Sequence, residues 1–232
     1  MNYDSPFIKM LEAIANMVIV SILWIIFSIP LVTLVPSSAA LFHTVRQVIF
    51  GPGRGNGILK DFYTSFKDNL KDGIKLSLIS ILIIAITAEG LWTGYQIWKI
   101  NIWGLLYMIL GIALSFVLIP MIIFIPPALS RFEAGIGTIL RIAAMLAMKK
   151  PLRSAFFVLL LYVLITIVQI IPLALLVVPA LFTDLIRPSV MKDLDEIYQE
   201  NAVTEEEEEE IEEEDSRVDL DKALSEKKEE KR

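Results

Sequence analysis

Glu89 is the residue whose type and position together point most directly to chemistry. It is the only charged residue between Lys75 and Lys99. A carboxylate inside a membrane span costs about 2.5–3.5 kcal/mol on insertion scales, so such groups face a protein interior or water and mark solute or proton paths. Asn16 and Gln169 are polar residues of two other apolar stretches, and both would lie toward the same side as Glu89. The three together could line a polar vestibule in the bilayer. The plainer reading places Glu89 at the interface, beside Trp92 and Tyr95 in an aromatic belt.

Other chemistries fail on residue type. The chain has one histidine, His43, and no cysteine. A zinc site draws on three or four ligands, so His43 reads as a packed or interfacial histidine. Neither H-E-x-x-H nor G-x-S-x-G occurs, which leaves metalloprotease and nucleophile-elbow hydrolysis without their residues. The stretch Gly51-Pro-Gly-Arg-Gly-Asn-Gly57 resembles a phosphate cradle only in composition. It fits neither glycine signature, no strand precedes it, and it reads as a turn. Arg131 and Glu133 could pair and orient a connection; an exposed pair adds little stability. No catalytic residue, metal, cofactor or nucleic-acid partner is expected, and the chain is not expected to be an enzyme.

The elements that must position these residues are apolar helices. The hydrophobic fraction is 55% and the mean hydropathy +0.63. The charge-free runs Ala13–Phe42, Ile102–Ser130 and Ser154–Thr183 each exceed the ~20 residues that cross a bilayer core. The expected architecture is all-α: an integral membrane bundle of about four transmembrane helices in two direct repeats. Spans are expected at roughly 13–35, 74–97, 102–125 and 153–182. The start lacks a basic region, and the first run is too long for a cleaved signal peptide.

The prolines suggest the repeat. Pro30 and Pro36 are spaced like Pro120 and Pro126, and each pair is read as the exit of a span. After the first exit, Ala40, Leu41, Val45 and Val48 predict a short helix near the membrane surface. Residues 58–72 predict an amphipathic helix with Leu59, Phe62, Phe66 and Leu70 on one face. That face would lie in the headgroup layer or pack on neighbouring spans. Residues 131–150 repeat the plan with Ile139, Ile142 and Leu146.

Charge divides the chain. Residues 1–191 hold 14 Lys+Arg against 8 Asp+Glu, a net of 14 − 8 = +6. Residues 192–232 hold 7 against 19, a net of 7 − 19 = −12. The domain division is therefore a membrane domain over 1–191 and an acidic tail over 192–232, expected to start with a short amphipathic helix through Leu194, Ile197 and Tyr198 and to continue as disordered, solvated chain too polar to build a core. Most Lys and Arg of the body fall in the connections 36–75 and 126–153. The positive-inside rule places these in the cytoplasm of a cell whose plasma membrane holds the protein. Four spans would leave the tail outside. The fourth run contains Pro172 and Pro179, and a hairpin there would bring the tail inside.

Three segments carry a family resemblance: Trp24-Ile-Ile-Phe-Ser-Ile-Pro-Leu-Val-Thr33, Ala39-Ala-Leu41 and Asp61-Phe-Tyr-Thr-Ser-Phe-Lys-Asp-Asn69. They join a proline–threonine exit, a small-residue helix start and a Phe-x-x-x-Phe helix. This pattern resembles the YesL-like family of bacterial multi-pass membrane proteins, a domain of unknown function. The family usually has Gly after the threonine, where this chain has Leu34-Val35-Pro36. The resemblance runs over roughly residues 10–185, strongest over about 16–80, and excludes the tail. It implies an accessory role in carbohydrate uptake, with membrane lipid and a sugar-uptake membrane complex as partners, and it transfers no site residues. Two functions remain: a non-enzymatic accessory or regulatory membrane protein, and a small-solute transporter or channel using Glu89, Asn16 and Gln169.

Overall fold

The structure, a computed structural model, describes residues 6–49, 57–132 and 134–199. Residues 51–56 of the glycine stretch, Glu133 of the Arg131/Glu133 pair and the glutamate run of 205–215 lie outside the described residues. The chain divides into two units, Met1–Val190 and Met191–Arg232. In the second unit, residues 191–199 are helical. Leu194 and Ile197 are buried there and Tyr198 is exposed. The first unit is helical throughout its described residues, apart from turns.

Helix α1 covers Pro6–Ser28. It ends seven residues before the expected boundary at 35, and the cause is Pro30. The residue before a proline is pushed out of the α region, so Ile29 cannot continue the helix. Thr33 then repairs the break. Its single hydroxyl proton is shared between Phe27 O (2.6 Å), in the last turn of α1, and Pro30 O (2.7 Å), which also accepts the Thr33 N–H at 2.9 Å. A last-turn carbonyl such as that of Phe27 has lost its intrahelical partner and needs a replacement. This is the physical work of the proline–threonine exit.

Helix α2 (Leu34–Thr44) follows, with Pro36 in its first turn, where a missing N–H costs nothing. It folds back beside the end of α1: Ser28 and Ser37 hydroxyls meet at 2.6 Å, and Trp24 Nε1 donates to Ser38 Oγ at 3.0 Å. The apolar face expected of this helix is buried: Ala40 and Leu41 are covered, as is Val45 just beyond its end. Val35, Ala39, Ala40, Leu41 and Phe42 are all buried. Five residues of π-helix, Val45–Ile49, extend it.

Helix α3 (Ile58–Asp68) starts at Gly57, whose φ of 102° suits glycine. Phe62 and Phe66 are buried, whereas Leu59 is 64% exposed, so the expected apolar face is narrower than its pattern. That face packs on a neighbouring span: the Phe27 ring lies 4.7 Å from Phe66 and 5.6 Å from Phe62. Asn69 alone separates α3 from α4 (Leu70–Trp98). Lys71 and Asp72 therefore belong to the following long helix, not to α3.

Helices α4 and α5 (Trp103–Leu129) form a tight antiparallel hairpin. A Cβ at Gly104 would overlap the backbone of Ile97 and Trp98, and one at Gly94 would press Tyr107 and Met108. Pro120, Pro126 and Pro127 all lie inside α5. The second proline pair thus occupies a continuous helix, while the first flanks a break. The expected span end at Ile125 moves to Leu129. Each proline deletes one i→i−4 bond, and a membrane helix tolerates this where neighbours cover the freed groups. Here Phe124, Ile125, Pro127 and Ala128 are buried.

Helix α6 (Ile136–Lys149) buries Ile139, Ile142, Ala143, Leu146 and Ala147 and packs mainly on α5. Helix α7 (Pro151–Ile170) begins with proline at its first position. Ser154 Oγ donates to Ala147 O at 3.0 Å, tying α7 to the last turns of α6. The expected fourth span, 153–182, ends at Ile170. Ile171 is extended, a 3-10 turn covers Pro172–Leu176, and helix resumes at 178. Arg153 Nη1 donates to Ser189 Oγ at 2.9 Å, so the chain comes back to where α7 starts. Among the described residues, α1 (from Leu11), α4, α5 and α7 are long and apolar enough to cross a membrane.

Candidate functional site

Two kinds of polar feature stand out in this apolar body. The first is a set of serines that serve backbone breaks. Ser77 Oγ on α4 accepts the N–H of Val35 at 3.0 Å, at the start of α2. Ser21 Oγ on α1 accepts the N–H of Ala180 at 3.3 Å, where helix has resumed after α7. Both bonds are buried. The first N–H groups of a helix have no partner within it, and neither water nor lipid can supply one in a packed apolar interior. Each resuming helix is therefore capped by a hydroxyl from a different helix. Pro36 also lies flat on Gly73: a Cβ there would sit 2.6 Å from the Pro36 Cβ. Glycine at 73 is what lets α2 and α4 approach closely enough for the Ser77 bond.

The second feature is a polar cavity of about 600 Å³ at one end of the bundle. Its walls come from four elements. Helix α2 supplies His43. Helix α3 supplies Asp61, Thr64, Ser65 and Asp68. The start of α4 supplies Asp72, and the end of α5 with the following turn supplies Ser130, Arg131 and Phe132. Asp61 and Asp68 share a face of α3 because they stand seven residues apart, and Asp72 joins them from the first turn of α4. Phe62 and Phe66 anchor the opposite face of α3 in the core.

The electrostatics of the cavity are acidic but mixed. Burial lowers the His43 pKa below its ordinary value; Arg46 lowers it further, and Asp61 and Asp68 oppose both. His43 is therefore a neutral imidazole near pH 7, one nitrogen donating and one accepting. Asn69 Nδ2 donates to Ser65 O at 2.8 Å, which fixes its amide at the α3–α4 junction. Asp72 Oδ1 meets Lys75 Nζ at 3.3 Å on the exposed rim. Asp61 Oδ2 is buried and takes no hydrogen bond among the described residues. The walls thus offer carboxylate acceptors, an imidazole, hydroxyls and one guanidinium to a polar group entering from outside. No three His, Asp or Glu side chains among the described residues converge as a metal site would require.

The residues singled out from sequence lie elsewhere. Glu89 is exposed on α4 and accepts a hydrogen bond from Thr93 Oγ1, one turn on, at 3.1 Å. Trp92 and Tyr95 are exposed nearby, and Lys99 Nζ lies 4.2 Å over the Tyr95 ring. Gln169 is exposed near the end of α7, and Asn16 is half-buried on α1. Among the described residues, no hydrogen bond joins any two of the three. Pro30, Pro36, Pro120 and Pro126 serve packing and chain breaks, as described above. His43, read from sequence as a packed or interfacial histidine, is half-buried and lines the cavity. The sequence signal for the cavity was present: aspartates at i, i+7 and i+11 opposite a buried Phe-x-x-x-Phe face. The partners His43 and Arg131, distant in sequence, were not readable from it.

A bundle whose long helices leave apolar side chains exposed along their length, with a polar cavity at one end, is a helical membrane protein. Residues 17–90 match a family described as a protein of unknown function, DUF624. The match spans α1 to the middle of α4 and includes the Thr33 exit, the Gly73–Pro36 contact and the aspartate wall. No curated protein and no solved structure matches the chain.

Proposed function

We propose that this protein is a non-enzymatic accessory or regulatory component of a plasma-membrane complex, and that the polar cavity end is its working surface. The observation that carries this reading is the cavity itself. It gathers charged and hydrogen-bonding side chains from α2, α3, α4 and α5 at one end of an otherwise apolar bundle. By the positive-inside rule that end faces the cytoplasm, since the long basic connections build it. The YesL-like resemblance directs the role toward carbohydrate uptake. The order of span, amphipathic helix and span recurs as α1, α3, α4 and α5, α6, α7. We read this as a direct repeat in element order only.

Co-purification from native membranes tests the proposal, with a chain carrying both Asp61→Asn and Asp68→Asn as comparison. A membrane partner recovered with the wild-type chain and lost from the double variant supports it. So does loss of uptake on deletion, with no solute flux through the purified protein in vesicles. Recovery of this chain alone overturns it. Flux through vesicles containing only this protein favours the transporter reading instead.

A further inference from the structure

We infer that the acidic tail emerges on the same face of the membrane from which α7 enters, because the chain crosses back directly after α7. Helix α7 has 20 residues, about 30 Å at 1.5 Å per residue, enough to traverse the hydrocarbon core. The guanidinium of Arg153, at its start, donates to the hydroxyl of Ser189 at 2.9 Å and reaches the Ser189 carbonyl at 3.4 Å. Residue 189 is therefore beside residue 153, at the end of α7 opposite Ile170.

The limb between them has the length to make that return. Five residues of 3-10 helix give about 10 Å, and residues 178–189 as α-helix give about 18 Å. The sum matches the rise of α7. The limb is interrupted at Ile171 and Val177, so it does not read as an apolar span by length. Its break is made tolerable inside the bundle by two features. Pro179 needs no partner for a backbone N–H, and the next N–H, that of Ala180, is capped by Ser21 Oγ. Ala180 is fully buried in the cluster that holds Met17, Val20 and Phe62. The limb is thus a packed fifth crossing, not a loop on the membrane surface. Val190 is delivered to the face where α6 joins α7, opposite the Lys99–Asn101 turn. The segment that follows carries 7 − 19 = −12. It faces the same compartment as the α5–α7 connection.

The chain lacks cysteine, so single-cysteine variants report one position each. Ser225→Cys and Ser216→Cys mark the tail. Gly137→Cys marks α6, where a Cβ meets nothing within 4 Å. Ile100→Cys marks the α4–α5 turn, 87% exposed. Each is exposed to a membrane-impermeant maleimide in intact cells and in inverted vesicles. The expected result is that both tail variants label from the side that labels Gly137→Cys and lose labelling from the side that labels Ile100→Cys. A Glu-specific protease on the unaltered chain gives an independent readout. It should remove the tail only from the Gly137 side. Tail labelling together with Ile100→Cys, labelling from both sides, or tail cleavage from the Ile100 side would each overturn the inference. The result does not depend on whether the cavity binds a partner.

Discussion

Gly73→Ala is the sharpest perturbation of the packing that holds the first half together. The new methyl would lie 2.6, 2.9 and 3.0 Å from the Cβ, Cδ and Cγ of Pro36. Carbon atoms rest at roughly 3.5–4.0 Å, so α2 and α4 must part by about 1 Å. The proline ring cannot rotate away, and α2 is held from its other side by the Ser28–Ser37 and Trp24–Ser38 contacts. Separation stretches the bond from Val35 N–H to Ser77 Oγ from 3.0 Å past the roughly 3.5 Å limit of a useful hydrogen bond. Overpacking costs about 1–3 kcal/mol, and a buried N–H left unpaired costs about 1–3 kcal/mol more. Alanine regains about 1 kcal/mol of helix propensity over glycine. The net is a loss of about 1–5 kcal/mol. Thermal unfolding of the purified protein in detergent measures it. Gly137→Ala is the control, because nothing lies within 4 Å of its Cβ, and it should gain up to about 1 kcal/mol. Ser77→Ala alone should lose about 1–3 kcal/mol. The double variant should lose less than the sum, since both changes break one bond. A Gly73→Ala protein that unfolds at or above the wild-type temperature would refute the tertiary-cap argument.

Other expectations concern separate parts of the molecule. Ser21→Ala leaves the buried Ala180 N–H unpaired, at about 1–3 kcal/mol, and limited proteolysis should cut the 171–180 limb faster than in the wild type. His43 has a folded-state pKa below its unfolded value of about 6.5. The unfolded chain therefore takes the proton first as pH falls; the His43 contribution is fully present above about pH 6.5 and is lost below it. Melting curves between pH 7.5 and 5.5 should show this decline, and His43→Gln should flatten it. Glu89→Gln should leave partner recovery and uptake unchanged, because Glu89 is exposed and, among the described residues, is bonded only to its own helix; a loss of uptake would return it to the functional site.

The solvent of this protein was legible from sequence. Several charge-free runs, each long enough to cross a bilayer core, point to lipid as the surrounding medium. The helices followed, because backbone groups in lipid must pair within their own segment. The amphipathic faces of α3 and α6 were readable as periodicity, and Ile139, Ile142 and Leu146 are buried as their spacing implies. The break after α1 was visible in Pro30, though its site was placed too late. A proline acts on the residue before it, and only Thr33 shows where the carbonyls are repaired.

What tertiary structure decided was which polar groups meet. Ser77 and Val35 are 42 residues apart, and Ser21 and Ala180 are 159 apart. Nothing local distinguishes these serines from Ser80 or Ser115, because a cap between helices depends on which helices become neighbours. The same holds for the cavity, where His43, the aspartates and Arg131 converge only after α2, α3 and α5 have packed. Proline had opposite outcomes at equivalent spacing, breaking the chain at Pro30 and sitting inside a helix at Pro120. Local composition selected lipid as solvent and helix as form, and proline marked the first break; the long-range placement of hydroxyls and small residues decided how the broken ends are capped, where the chain turns back and which end carries the polar surface.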